Sequence, residues 1–100
     1  MVGPRVMIRC SDGHSVFSTD GKILNRAYGV KIGNHVWIGQ DVLVSKNTEI
    51  PDGCIVGARA VVTNKFDKSN CVLAGVPARI TKENIRWERI APDRIKPVNK

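Results

Sequence analysis

The sequence predicts an all-β fold, a parallel β-helix in which very short strands wind into stacked triangular coils. Three observations predict it: aliphatic residues recur every six positions, turn-forming residues fill the gaps between them, and equivalent residues recur every eighteen. From Val30 the chain reads VKIGNH, VWIGQD, VLVSKN, TEIPDG, CIVGAR and AVVTNK. The third place of each block holds Ile32, Ile38, Val44, Ile50, Val56 or Val62, and two places earlier stands Val30, Val36, Val42, Thr48, Cys54 or Ala60. Two inward residues flanking one outward residue make a short strand, and the Gly, Pro, Asn, Asp and Ser that follow turn the chain. A unit this short cannot bury its own aliphatics, so three units close one coil and successive coils stack about 4.8 Å apart.

The elements follow in order. A strand at Val6 to Ile8 opens the chain. Residues 10–29, CSDGHSVFSTDGKILNRAYG, break the period and are rich in Gly, Ser and Asp, which predicts an excursion out of the stack. The six blocks come next. The eighteen-residue ladders Val36–Cys54–Val72, Ile38–Val56–Ala74 and Gly39–Gly57–Gly75 predict that a further coil keeps at least one strand in register. Lys68 falls in the inward slot six residues after Val62, inside the polar stretch 64–70, so that face is expected to bulge or loop out. Pro77 stops the coil. In TKENIRWERI at 81–90, Thr81 stands at a capping position with Asn84 three places on, and Ile85 and Ile90 lie among charges, which predicts a short amphipathic helix. The division is thus a truncated β-helix over 1–80 with its loop at 10–29, then a helix and tail over 81–100.

Composition narrows the function. With 42% hydrophobic and 25% charged residues the balance is globular rather than disordered. No apolar run is long enough to cross a bilayer, and Pro4, Arg5 and Arg9 interrupt what a signal-peptide core would need, so a cytoplasmic location is expected. Cys10, Cys54 and Cys71 are odd in number and lack CxxC spacing; they read as small buried thiols, with no metal site expected. Sixteen basic against nine acidic residues give a formal charge of +7, which favours an anionic partner without choosing one.

GHSV at 13–16, IGNHVWIG at 32–39, VGARAVVT at 56–63 and AGVPARI at 74–80 together resemble the hexapeptide-repeat acetyltransferases of the galactoside, maltose and capsular-polysaccharide type. That resemblance spans residues 10–82 and implies a left-handed β-helix, a homotrimer, and acetyl-CoA held in the groove between subunits. It implies transfer of an acetyl group to a hydroxyl of a sugar or saccharide, with no nucleic-acid partner. A thioester is already activated, so the reaction needs a base for the acceptor hydroxyl, donors for the oxyanion, and positioning. His14, with an ordinary pKa near 6.5, is the candidate base; the plain alternative is a solvated loop histidine. His35 sits in a turn and is given no chemistry. The cofactor positions that carry over are Gln40 and Ala58, stacked one coil apart, Thr63 and Asn64, and Arg79 and Lys82 near the phosphates. Asn64 departs from the lysine often found there, and each basic residue has the alternative of a solvated surface charge. Trp37 either walls the site near His14 or packs at the trimer interface.

Members of this family carry further coils ahead of the histidine loop, and this chain shows about nine residues there, so acceptor-binding residues cannot be carried over. The runner-up is therefore a non-catalytic β-helix trimerisation module. A γ-class carbonic anhydrase needs three ligand histidines where this chain has two, and a nucleic-acid binder finds only five aromatic residues and no recognised module.

Overall fold

In the computed structural model, residues 1–9, 18–22 and 29–89 are described. Nine short strands make up the described architecture: β1 (Met7–Ile8), β2 (Lys31–Ile32), β3 (Trp37–Ile38), β4 (Leu43–Val44), β5 (Glu49–Ile50), β6 (Ile55–Val56), β7 (Val61–Val62), β8 (Val72–Gly75) and β9 (Ala78–Lys82). They form three parallel ladders, which are the faces of a prism. The first face is β3–β6–β8, extended by a bridge from Val2 to Ile38; the second is β1–β4–β7; the third is β2–β5, extended by a bridge from Glu49 to Lys65. Only β9 runs antiparallel, folding back along β8.

The alternation expected from the six-residue unit is what the strands show. Ile38, Val44, Ile50, Val56 and Val62 point inward with exposures of 2% or less, and Val42, Cys54 and Ala60 complete the core with Thr48. Thr48 satisfies its hydroxyl by donating to the Ser45 carbonyl. The turns have a repeating conformation too. Residues His35, Asp41, Asn47, Gly53 and Arg59, six apart, all have φ between 54° and 71°, and Arg5 joins them at 57°. A left-handed residue at each corner bends the chain between faces; Asn and Asp tolerate it, while His35 and Arg59 need the stack to hold them there.

Backbone hydrogen bonds show how regular the stacking is. Lys31 N donates to Thr48 O, Trp37 N to Cys54 O and Leu43 N to Ala60 O, each with the same offset along the chain. The step into the last coil is one residue shorter: Ile55 N donates to Cys71 O and Gly57 N to Leu73 O. The expected eighteen-residue ladders therefore fail at that point. Cys71 rather than Val72 lies beneath Cys54, Leu73 rather than Ala74 beneath Val56, and Ala74 rather than Gly75 beneath Gly57. The slip puts the larger Leu73 and the small Cys71 in the core, both fully buried, and turns Val72 outward. It originates in the polar stretch. Phe66, not Lys68, packs against the core, with Phe66 N donating to Glu49 O, while Lys68 reaches outward to pair with Glu83 at 2.6 Å.

The helix expected over 81–90 is absent from its described part. Residues 78–82 are strand β9, and 83–89 form neither helix nor strand. Thr81 does not cap; its hydroxyl donates to Val72 O at 3.3 Å. The reason lies in the spacing: half-buried Ile85 and buried Trp87 alternate with exposed Asn84, Arg86 and Glu88, a period of two rather than 3.6. Strand β9 also runs across the junction drawn at residue 80. Cys54 and Cys71 are buried free thiols, and Cys10 lies outside the described residues. Among the described residues no helix is long and apolar enough to cross a membrane.

Candidate functional site

The corner between the first and second faces gathers more of the expected contact residues than any other. It is built by a column of small residues. A Cβ on Gly39 would come within 2.8 Å of Ala58 N, and one on Gly3 within 2.9 Å of Gln40 N, so glycine is what lets these coils approach so closely. This column brings Gln40 and Ala58 one above the other on the surface, as their spacing predicts, and Gln40 O accepts from Arg59 N at 2.9 Å. The β8–β9 hairpin turns at the same corner, with Gly75 paired to Ala78 and Ala74 to Arg79. Arg79 thus stands toward the same corner, with β8 between it and the coil of Ala58.

Charge runs along the next position of the corner. Arg5 grips Asp41 with two nitrogens, Nε to Oδ1 at 2.6 Å and Nη2 to Oδ2 at 3.2 Å. The hydrogen bond from Arg5, with a smaller pull from Arg59, holds the Asp41 carboxyl below the ordinary carboxylate range. Arg5 and Arg59 flank the Asp41 carboxylate, and Arg79 adds charge further along on β9, an arrangement suited to anionic groups. Sequence reasoning passed over Arg5 and Arg59; their coil spacing from Asp41 was the available signal.

The remaining expected contacts separate. Thr63 and Asn64 follow β7 at the next corner, between the second and third faces, and Lys82 closes β9 at the far edge of the first face, opposite Val72. Trp37 lies outward on the first face, 37% exposed, in a row that continues through half-buried Ile55 and Val72. His14 lies outside the described residues. His35 has a structural partner: its ring stacks on Trp87 at 3.8 Å and 7°, its Nε2 lies 2.9 Å from Trp87 O, and Trp87 Nε1 donates to His35 O at 3.0 Å.

The third face carries an open cleft of about 340 Å³, lined by Lys31, Ile32, Glu49, Ile50, Phe66 and Asp67 among others. Lys31 and Glu49 stand 3.8 Å apart across it. Among the described residues no group of three or more His, Cys, Asp or Glu is arranged to hold a metal ion.

Comparison with known proteins fits this architecture. Residues 29–64 match the family of bacterial transferase hexapeptide, six repeats. The chain is 38% identical over 90 residues to the polysialic acid O-acetyltransferase of Escherichia coli O1:K1 / APEC, covering 89% of this chain and 29% of that protein. Its fold superposes on the crystal structure of the polysialic acid O-acetyltransferase OatWY with a TM-score of 0.86 at 41% identity, covering 90% of this chain and 43% of the other. A galactoside acetyltransferase in complex with coenzyme A superposes with a TM-score of 0.61 at 27% identity, covering 82% and 44%. The chain spans between about a fifth and two fifths of the length of the curated relatives it matches. The fold is the left-handed parallel β-helix, the chain carries the bacterial transferase hexapeptide repeat over residues 29–64, and its relatives and structural neighbours are hexapeptide-repeat acetyltransferases.

Proposed function

We propose that this chain is part of an acetyl-CoA-dependent O-acetyltransferase that acts on a hydroxyl of a sugar or saccharide. The observation that carries this reading is the corner along which Gln40, Ala58 and, beyond β8, Arg79 are arrayed, on a fold whose solved relative is in complex with coenzyme A. Gln40 supplies an amide, Ala58 leaves room for an extended arm, and Arg59 and Arg79 face the phosphates. Trp37 with Ile55 and Val72 offers an apolar stripe beside them. His14 acts as general base, taking the proton from the acceptor hydroxyl as the oxygen attacks the thioester carbonyl; the coenzyme A thiolate then leaves. Thr63, Asn64 and Lys82, at other corners of the same prism, contribute if the donor lies between subunits of a homotrimer, where a neighbour's corner faces this one. The saccharide acceptor is favoured by the relatives, which act on polysialic acid and galactosides by name. A cytoplasmic location accompanies the use of acetyl-CoA.

The second reading, a non-catalytic trimerisation module, draws on the open first coil, where Ile8 and Ile32 are 45% and 38% exposed. Release of free coenzyme A thiol, followed with acetyl-CoA and a panel of saccharides, separates the two. Acceptor-dependent release that disappears in His14→Ala, with acetyl-CoA binding retained, supports the transferase; a folded trimer that binds no acetyl-CoA supports the module.

A further inference from the structure

The C-terminal segment does more than close the prism. After β9 it climbs back along the corner between the third and first faces, crossing the coils. Glu83 pairs with Lys68 at 2.6 Å, Ile85 N donates to Asn70 O at 2.9 Å, and Trp87 reaches the turn at His35. Trp87 is 6% exposed although it belongs to an otherwise exposed segment. Its indole stacks near-parallel on His35, donates from Nε1 to the His35 carbonyl and makes a tilted contact with Trp37 at 5.8 Å and 49°, while the Trp87 carbonyl lies 2.9 Å from His35 Nε2.

That last contact matters because of where Trp37 lies. It is 37% exposed, on a two-residue strand, and its outward neighbour along the face is Ile55. Along the face Met1 lies on one side of it and Ile55 on the other, and across the face Trp87 presses on the indole from the neighbouring corner. We propose that Trp87 is a positioning residue: through its seat on His35 it holds the Trp37 indole in one orientation, and so shapes the surface against which the acyl donor lies. The consequence for transfer rests on the function proposed above; the positioning itself does not. His35 then has a role of orienting Trp87, its ring presented from a left-handed corner residue (φ 54°).

The chain has two tryptophans, so each can be read alone. The experiment records the indole N–H signals and the far-ultraviolet exciton couplet of the pair, then repeats them in Trp87→Phe, Trp87→Leu and His35→Asn. Asparagine accepts the left-handed turn while removing the ring, so that variant folds even where Trp87→Leu does not. The expected result is a couplet and one sharp Trp37 signal in the parent chain. In His35→Asn and Trp87→Leu the Trp37 signal shifts and broadens, and Trp87→Phe restores a single sharp signal. An unchanged Trp37 signal in His35→Asn and Trp87→Leu overturns the proposal, whatever the enzyme does. Kinetics complete the test. Trp87→Leu is expected to lower kcat about tenfold with KM for acetyl-CoA changed by less than about threefold, and to have no further effect in a Trp37→Ala background. Additive losses in that cycle, with lowered Tm alone, mean a purely structural role and overturn the link to transfer. If the parent chain transfers no acetyl group while the Trp37 signal still follows Trp87, the proposed function fails and the positioning stands.

Discussion

The first coil and the two below it are made of the same six-residue unit, yet they end in opposite conditions. Ile8 and Ile32 occupy inward slots and are 45% and 38% exposed, while Val44 and Ile50, directly beneath them, are at 0% and 2%. Burial in this fold therefore belongs to the stacking of coils and not to the unit itself. The lower end solves the same problem differently. There β9 reverses along β8 and buries Ala78, and the segment to Trp87 covers the neighbouring corner. One end is sealed by a strand of opposite direction and the other presents apolar residues to whatever lies above.

The contrast can be broken most forcefully in the core. Leu73→Ala in the last coil and Ile50→Ala in the second are each expected to cost about 2–5 kcal/mol, and Ile32→Ala in the first coil about 1 kcal/mol, measured by denaturant unfolding. Equal costs at Ile50 and Ile32 would mean that the open coil is covered in solution.

The one-residue slip gives a sharper comparison. A Cβ on Gly39 meets backbone at 2.8 and 3.0 Å, but on Gly57 its nearest neighbours are Ala74 Cβ at 3.4 Å and Leu73 O at 3.6 Å. Gly39→Ala is expected to cost about 1–3 kcal/mol and Gly57→Ala under about 1 kcal/mol, read from the same unfolding curves. A reversed order would contradict the register described here.

Those two glycines show how far the sequence can be read. The six-residue period reveals the strands, the faces and the inward residues, and the spacing of Gln40 and Ala58 reveals their stacking. It does not reveal the slip, because Cys71, Val72, Leu73 and Ala74 are all apolar and either register offers a plausible core; the choice falls to the larger Leu73. The expected final helix rests on Ile85 and Ile90 among charges, whereas the residues that pack are Ile85 and Trp87, whose spacing of two does not fit one face of a helix. Arg79 belongs to the Gln40 corner only because the hairpin turns there, and Lys82 leaves it for the same reason. Neither position follows from a repeat that has already ended.

Titration offers two smaller effects. Burial, more than the neighbouring Cys54, pushes the Cys71 thiol above its ordinary value of 9.0. The folded chain keeps this proton more tightly, so its contribution is full at lower pH and is lost as pH rises past that value. Thermal unfolding is expected to weaken above pH 9.0 and to do so less in Cys71→Ser, which titrates no thiol there; an identical alkaline decline in both would show that Cys71 is not its source. Smaller still is the tie between first and second coils. Arg5 lowers Asp41 below its ordinary 3.8, so the pair helps above that pH and the help is lost as pH falls below it. Asp41→Asn should flatten that acid limb slightly; an unaltered limb would mean that this exposed pair contributes nothing.

The central claim, that this β-helix presents an acyl-donor site, is tested most directly by titrating the chain with acetyl-CoA in a calorimeter while its mass is measured by sedimentation. The expected result is one acetyl-CoA per chain bound by a trimer, with affinity lowered about tenfold or more in an Arg59→Ala, Arg79→Ala double variant. A folded trimer that gives no heat with acetyl-CoA, or binds it equally well without the two arginines, would contradict it.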